Sequence, residues 1–176
     1  MPRWIIDPDH SCAAFSIRHL MITLVHGQFN RFAGSIHFDQ SAPSLSSVEL
    51  TIDAAGIYTG IAKRDEHLRS ADFFDVEKFP QISFRSTKVD FSGPSRCRIT
   101  GDLTLHGVTR SIEFDAELSG PVTSPYGGEV CMGFAAQTRL NREDYGIMWN
   151  EQLEGGGVMV GGEVHITLDL EADLAE

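Results

Sequence analysis

Apolar and polar residues alternate with period two over much of the chain. Cys97, Ile99, Gly101, Leu103 and Leu105 interleave with Arg98, Thr100, Asp102, Thr104 and His106. Ile112, Phe114, Ala116 and Leu118 interleave with Ser111, Glu113, Asp115 and Glu117. Val164, Ile166, Leu168 and Leu170 interleave with His165, Thr167, Asp169 and Glu171. Successive side chains of a strand point to opposite faces, so each stretch predicts a strand with one apolar and one wet face. His106-Gly107-Val108, between the first two, predicts a tight hairpin. Shorter alternations mark strands at 48–54, 82–84 and 130–136. Two long segments, from about Ser11 to Leu24 and from about Gly27 to Phe38, bring the count to about eight. Glycines and polar residues interrupt both, a pattern that predicts bulges.

One segment breaks the alternation. From Lys63 to Phe79, the charges of Arg64, Asp65, Glu66 and Arg69 surround Leu68, Phe73, Phe74, Val76 and Phe79. Asp65 and Arg69 stand four apart, a spacing that supports a helix, and Pro80 ends it. A further helical turn is expected at Asn141 to Tyr145. A helix between strands of a β-protein lies across one end of the sheet structure and closes it, its aromatics filling the core beneath. Eight antiparallel strands can bury their apolar faces as a sandwich or as a closed barrel, and periodicity does not choose between them. An eight-stranded barrel either fills with side chains or holds one small ligand.

Composition narrows the function classes. The chain has 176 residues, room for one domain, and a net charge of −11. That charge argues against nucleic acid and anionic membrane surfaces, which select basic patches. The start, Met1-Pro2-Arg3-Trp4-Ile5-Ile6-Asp7, holds no signal-peptide core, and no run reaches the roughly 18 apolar residues of a membrane span. The chain as given is therefore expected in the cytosol, without stable membrane insertion, unless a leader was removed. Cys12, Cys97 and Cys131 are odd in number and in no metal spacing, and read as reduced thiols with Cys97 in the core.

Other chemistry is weak. The seven histidines, His10, His19, His26, His37, His67, His106 and His165, form no helical pair and no Cys/His cluster, so no metal is expected. Gly155-Gly156-Gly157 precedes the strand-like Val158-Met159-Val160, whereas phosphate loops open onto a helix, so a flexible loop is expected there. Ser11 beside His10 lacks a nucleophile elbow or oxyanion element. The charge run from Arg64 to Arg69 reads as a solvated helix face.

With those residues placed, the chain resembles the polyisoprenoid-binding YceI-like family. The likeness runs from Trp4-x-x-Asp7-x-x-His10-Ser11 through Phe15, Ile17 and His19 to Gly27-x-Phe29. Its most specific block is Arg64-Asp65-Glu66-His67-Leu68-Arg69-Ser70-Ala71-Asp72-Phe73-Phe74-Asp75, continuing to Phe79-Pro80 and Ile82-x-Phe84. The stretch from Gly101 to Thr109 and Asn141-Arg142-x-Asp144-Tyr145-Gly146 follow in the family's order. The resemblance implies a lipocalin-like, eight-stranded antiparallel β-barrel with an apolar tunnel, often a homodimer. It also implies a cargo of polyprenyl chains, isoprenoid quinones or their precursors, or fatty-acid derivatives. Many family members are periplasmic.

The function expected is non-enzymatic carriage or storage of one long apolar lipid, without a cofactor. Two rivals are an interaction or stress-response module whose lipid is structural, and an enzyme acting on an isoprenoid. Strands of ten to twelve residues at about 3.3 Å each, tilted roughly 40°, give a tunnel roughly 25–30 Å long. At roughly 0.3 kcal/mol per heavy atom, about forty carbons would give about −12 kcal/mol, close to nanomolar binding. The expected lining is Phe15, Ile17, Phe29, Phe73, Phe74, Phe84, Leu103, Phe114, Phe134 and Trp149. Arg142 and His19 are the candidates for a polar head group. The alternative for Arg142 is a structural pair with Asp144 or another carboxylate.

Overall fold

The period-two stretches form strands throughout the computed structural model, which describes residues 1–175. They are β1 (Arg3–His19), β2 (Thr23–Phe29), β3 (Phe32–His37), β4 (Ser47–Asp53) and β5 (Ile57–Tyr58). After the helix α1 (Ala62–Arg69) come β6 (Gln81–Phe91), β7 (Arg96–Leu105), β8 (Val108–Thr123), β9 (Val130–Asn141) and β10 (Val160–Leu174). All pairings are antiparallel. The ring runs β10-β9-β8-β7-β6-β4-β3-β1 and closes through β1 back onto β10. These eight strands make a closed barrel, so the apolar faces meet in the interior. β2 and β5 extend the wall, β2 along the second half of β1 and β5 along β2.

Four sequence expectations change in detail. The first strand begins at Arg3 rather than near Ser11, because Trp4 and Ile6 already point inward. Pro8 obscured this; it sits in a register shift between Asp7 and Cys12, where no ladder bond is needed. Ser11 belongs to that irregularity, its Oγ accepting from the Glu171 N–H at 2.9 Å, which makes it a backbone mimic rather than a nucleophile. The second long strand is split at Asn30 and Arg31 into β2 and β3. The helix stops at Arg69 instead of running to Phe79. Ser70 Oγ donates to the His67 carbonyl at 2.7 Å, a local bond that competes with the helical ladder. Residues 70–79 continue as hydrogen-bonded turns, with Phe74 N–H on the Leu68 carbonyl and Val76 N–H on the Arg69 carbonyl. The glycine run at 155–157 is held in a turn between Leu153 and Gly157, with β10 proper starting at Val160.

His106 and Gly107 form the β7–β8 turn, both with positive φ, 52° and 73°. Such a two-residue turn matches the right-handed twist of its strands. The turn expected near Asn141 is a short 3-10 turn, Arg142–Tyr145, whose start is capped by Asn141 Oδ1 accepting from Glu143 N–H at 3.1 Å. The His106 ring bonds the Tyr145 carbonyl at 3.0 Å and packs at a tilt against the Phe79 ring, centroids 4.6 Å apart, tying hairpin, 3-10 turn and closing segment together. Among the described residues no helix is long and apolar enough to cross a membrane.

The charge run of α1 is not a solvated face. Asp65 is 4% exposed and accepts from the Thr59 N–H at 2.9 Å. Arg64 donates through Nε to Thr59 Oγ1 and through Nη2 to the Thr59 carbonyl, both at 2.7 Å. Arg69 reaches back to the carbonyls of Ala55 at 2.8 Å and Ile57 at 3.0 Å. Asp65 and Arg69 therefore each pin the segment to the chain before it, rather than to each other.

Candidate functional site: an apolar bore

Inward side chains do not meet everywhere. At the end formed by the starts of β1, β4, β7 and β9, large residues close the barrel solidly. Trp4 is buried and donates Nε1–H to the Phe38 carbonyl at 3.2 Å, while Phe38 stacks on Phe91 with ring centroids 5.9 Å apart. Val89, Cys97, Met132 and Ala172 pack in the same plug, and burial pushes the Cys97 thiol up to about 11. Beyond the plug the interior is hollow, with a cavity of about 200 Å³ lined from all eight barrel strands.

The lining on β10 runs from Val160 to Leu170. Ten residues at about 3.3 Å, tilted roughly 40°, put this at roughly 25 Å along the barrel axis. So modest a volume over such a length describes a slender bore, not a chamber. Small side chains keep it open: Ala116 and Ala136 face each other across β8 and β9, with Leu168 opposite Ala136 on β10. Two glycines let rings lie flat against the wall. The Phe15 ring occupies the place a Cβ on Gly27 would take, and the Phe84 ring does the same at Gly101. The far end is covered by the last turn of α1 and the segment after it, whose Leu68, Phe73 and Phe74 share the lining with Ile82, Leu105 and Leu140.

Ten of the twelve sequence-selected residues line this bore: Phe15, Ile17, Phe29, Phe73, Phe74, Phe84, Leu103, Phe114, Phe134 and Arg142. Phe15 and Phe29 lie 5.8 Å apart, Phe29 and Phe74 5.6 Å, and Phe84 and Phe114 5.2 Å. Trp149 is not in the lining. It stands behind it, 5.2 Å from the Phe73 ring and 5.0 Å from His67, and so braces the closing segment. His19 is in phase with Ile17 but lies at the last position of β1, beyond the lining, half-buried and paired with Thr23 and Val160. The aliphatic lining was missed: Val160, Val164, Ile166 and Leu168 of β10 and Leu50 and Ile52 of β4 line the bore beside the aromatics. Alternation had marked most of them as inward, and only the preference for large rings passed them over.

Arg142 is the charged residue of the lining. It is 4% exposed and makes no ion pair among the described residues. Its Nε donates to the Gly161 carbonyl at 2.9 Å, Nη1 to Ile147 at 2.8 Å and Nη2 to Val160 at 3.4 Å. The expected alternative, a pair with Asp144, does not form; Asp144 is exposed, and its backbone carbonyl accepts from Arg110. Burial lowers the Arg142 pKa, with Glu143 opposing. Arginine nevertheless keeps its charge. Nearby Tyr145 is 1% exposed, its hydroxyl has no partner, and burial raises its pKa.

A model of the YceI-like domain matches residues 4–172. The chain belongs to the YceI-like family. It is 41% identical over 141 residues to a UPF0312 protein of Pseudomonas putida (strain W619), covering 80% of this chain and 73% of that protein. Among solved structures, BcnA of Burkholderia cenocepacia superposes with a TM-score of 0.83 at 20% identity, covering 94% of this chain and 98% of that one. A polyisoprenoid binding domain from Saccharophagus degradans superposes with a TM-score of 0.72 at 16% identity, covering 98% of each. At those identities the two structures establish a shared fold, the lipocalin-like barrel expected of a YceI-like chain.

Proposed function

We propose that this YceI-like protein carries or stores one long apolar lipid of the polyisoprenoid class, threaded through the barrel and chemically unchanged. The observation that carries the reading is the bore itself: slender, apolar along roughly 25 Å, and walled by every strand of the barrel. Such a shape takes a chain and excludes a compact metabolite. The polyisoprenoid binding domain of S. degradans shares the fold and supports the class of cargo. Binding without bond-making fits a lining in which Arg142 is the titratable side chain. Each methylene taken from water contributes about 0.8 kcal/mol before ordering costs, so tail length alone gives useful affinity.

Phe114→Asp tests the reading, since Phe114 is 6% exposed at the centre of the lining. A carboxylate there makes the bore hostile to hydrocarbon. The folded variant should lose its lipid, measured in organic extracts of purified protein against the parent. A folded variant that retains a full complement of lipid would place the cargo elsewhere and sink the proposal.

A further inference from the structure

The β1–β2 hairpin turns just beyond His19, two residues past Ile17, the last wall residue on β1. Leu20 and Met21 both hold positive φ, 50° and 63°, a left-handed conformation that glycine or asparagine adopts with less steric conflict. The sequence instead places large apolar residues there and at Ile22, and turns two of them to solvent: Met21 is 55% exposed and Ile22 78%. Leu20 N–H donates to the Met159 carbonyl at 2.8 Å and Ile22 N–H to the His19 carbonyl at 3.1 Å, so the tip is held in place. Among the described residues β5 pairs with β2 at Gln28 and Phe29 alone, which leaves the tip half of the hairpin clear of further strands. Leu24 on β2 and Met148, next to the wall residue Ile147, add exposed apolar surface.

Charge and position say what this surface meets. From His19 to Asn30 the chain holds no Asp, Glu, Lys or Arg, on a molecule of net charge −11; Arg18 and Arg31 bound the stretch. The neighbouring loop, between Trp149 and Val160, exposes Glu151 and Glu154. An uncharged apolar tip beside carboxylates suits a zwitterionic lipid surface and is repelled by an anionic one. The tip is also continuous with the bore. His19 pairs with the wall residue Val160, and Met21 lies against Gly157 of the loop that leads into it. We infer that the β1–β2 tip docks this end of the barrel on the surface of a zwitterionic bilayer, where cargo passes between membrane and bore without crossing water. Met21 and Ile22 enter the interface and span nothing. The inference rests on the lipid-carrying reading and adds to it the surface that loads and unloads the bore.

The test loads full-length protein with a fluorescent geranylgeranyl lipid and follows its transfer to phosphatidylcholine vesicles that carry a quencher. The transfer rate should rise in proportion to vesicle concentration, as a collision requires. A rate independent of vesicle concentration means release through water and overturns the inference. Replacing part of the phosphatidylcholine with phosphatidylglycerol should slow transfer several-fold; an unchanged or faster rate overturns the choice of a zwitterionic surface. I22D should cut the rate at least tenfold while its affinity for the probe stays within twofold of the parent's, and I22L should transfer as the parent does. An I22D protein that transfers at the parent rate overturns the inference, and a change from dimer to monomer in that variant would assign the tip to contacts between copies of the chain. The vesicle dependence of the parent needs no variant, so it decides the matter whether or not I22D folds. Failure of the parent to take up the probe overturns the lipid-carrying reading itself, a result distinct from all of these.

Discussion

The two ends of the barrel grow from the same alternating strands, yet one is solid and the other hollow. At the solid end, Trp4, Phe38, Phe91 and Met132 converge, with the small Cys97 paired to Phe91 and the wholly buried Ala172 paired to Met132. Large against small fills the space to the density of a normal protein interior. In the bore, small faces small: Ala116 lies opposite Ala136, and Gly27 and Gly101 let Phe15 and Phe84 fold flat on the wall. Period two says which side chains point inward; their volumes decide whether they meet. The plug is therefore packed for stability, and the bore leaves space that its own side chains do not fill.

Trp4→Ala should have the largest effect. It removes the centre of the plug and its hydrogen bond to the Phe38 carbonyl, and truncations of this kind cost about 3–5 kcal/mol. Urea unfolding should show the midpoint falling in proportion; a loss below about 1 kcal/mol would mean the plug is not the stabilising end. Arg69→Ala comes next. It strips a charged donor from the Ala55 and Ile57 carbonyls, each such bond being worth about 1.5–3 kcal/mol. Because Arg69 pins the segment that roofs the bore, lipid exchange between protein and vesicles should also quicken. Unchanged exchange rates would show that cargo enters elsewhere. The finest test enlarges an alanine at each end. Ala172→Leu overpacks the plug and should cost about 1–3 kcal/mol in thermal or urea unfolding. Ala136→Leu fills open space, so its stability should stay within about 0.5 kcal/mol of the parent while lipid retention falls several-fold. Equal destabilisation at the two positions would erase the distinction between solid and hollow ends.

Much of this was legible in the sequence. β7, β8 and β10 show long, one-sided alternation, and their inward residues became the wall as expected. The end of the helix was not legible, because it depends on Asp65 reaching Thr59 and Arg69 reaching the Ala55 and Ile57 carbonyls, six to fourteen residues earlier, contacts that no helical spacing announces. The Arg64–Arg69 run looked like a wet face for the same reason. Among the candidate site residues, phase along a strand put Phe114 and Phe134 on the inward face, where they line the bore, whereas His19, chosen from its motif position and charge, lies beyond the lining. Trp149 follows a turn rather than lying on a strand, so periodicity had no hold on it. The aliphatic wall of β10 was marked as inward yet not chosen. Nothing in the pattern distinguishes an inward valine that packs from one that borders a void.

The most direct measurement is native mass spectrometry of freshly purified protein, with its organic extract analysed for lipids. A bound mass of one long-chain isoprenoid or similar amphiphile per chain is the predicted result. An empty protein, from a host that makes such lipids, that also fails to take them up when added would contradict the account, since the bore would then hold no cargo.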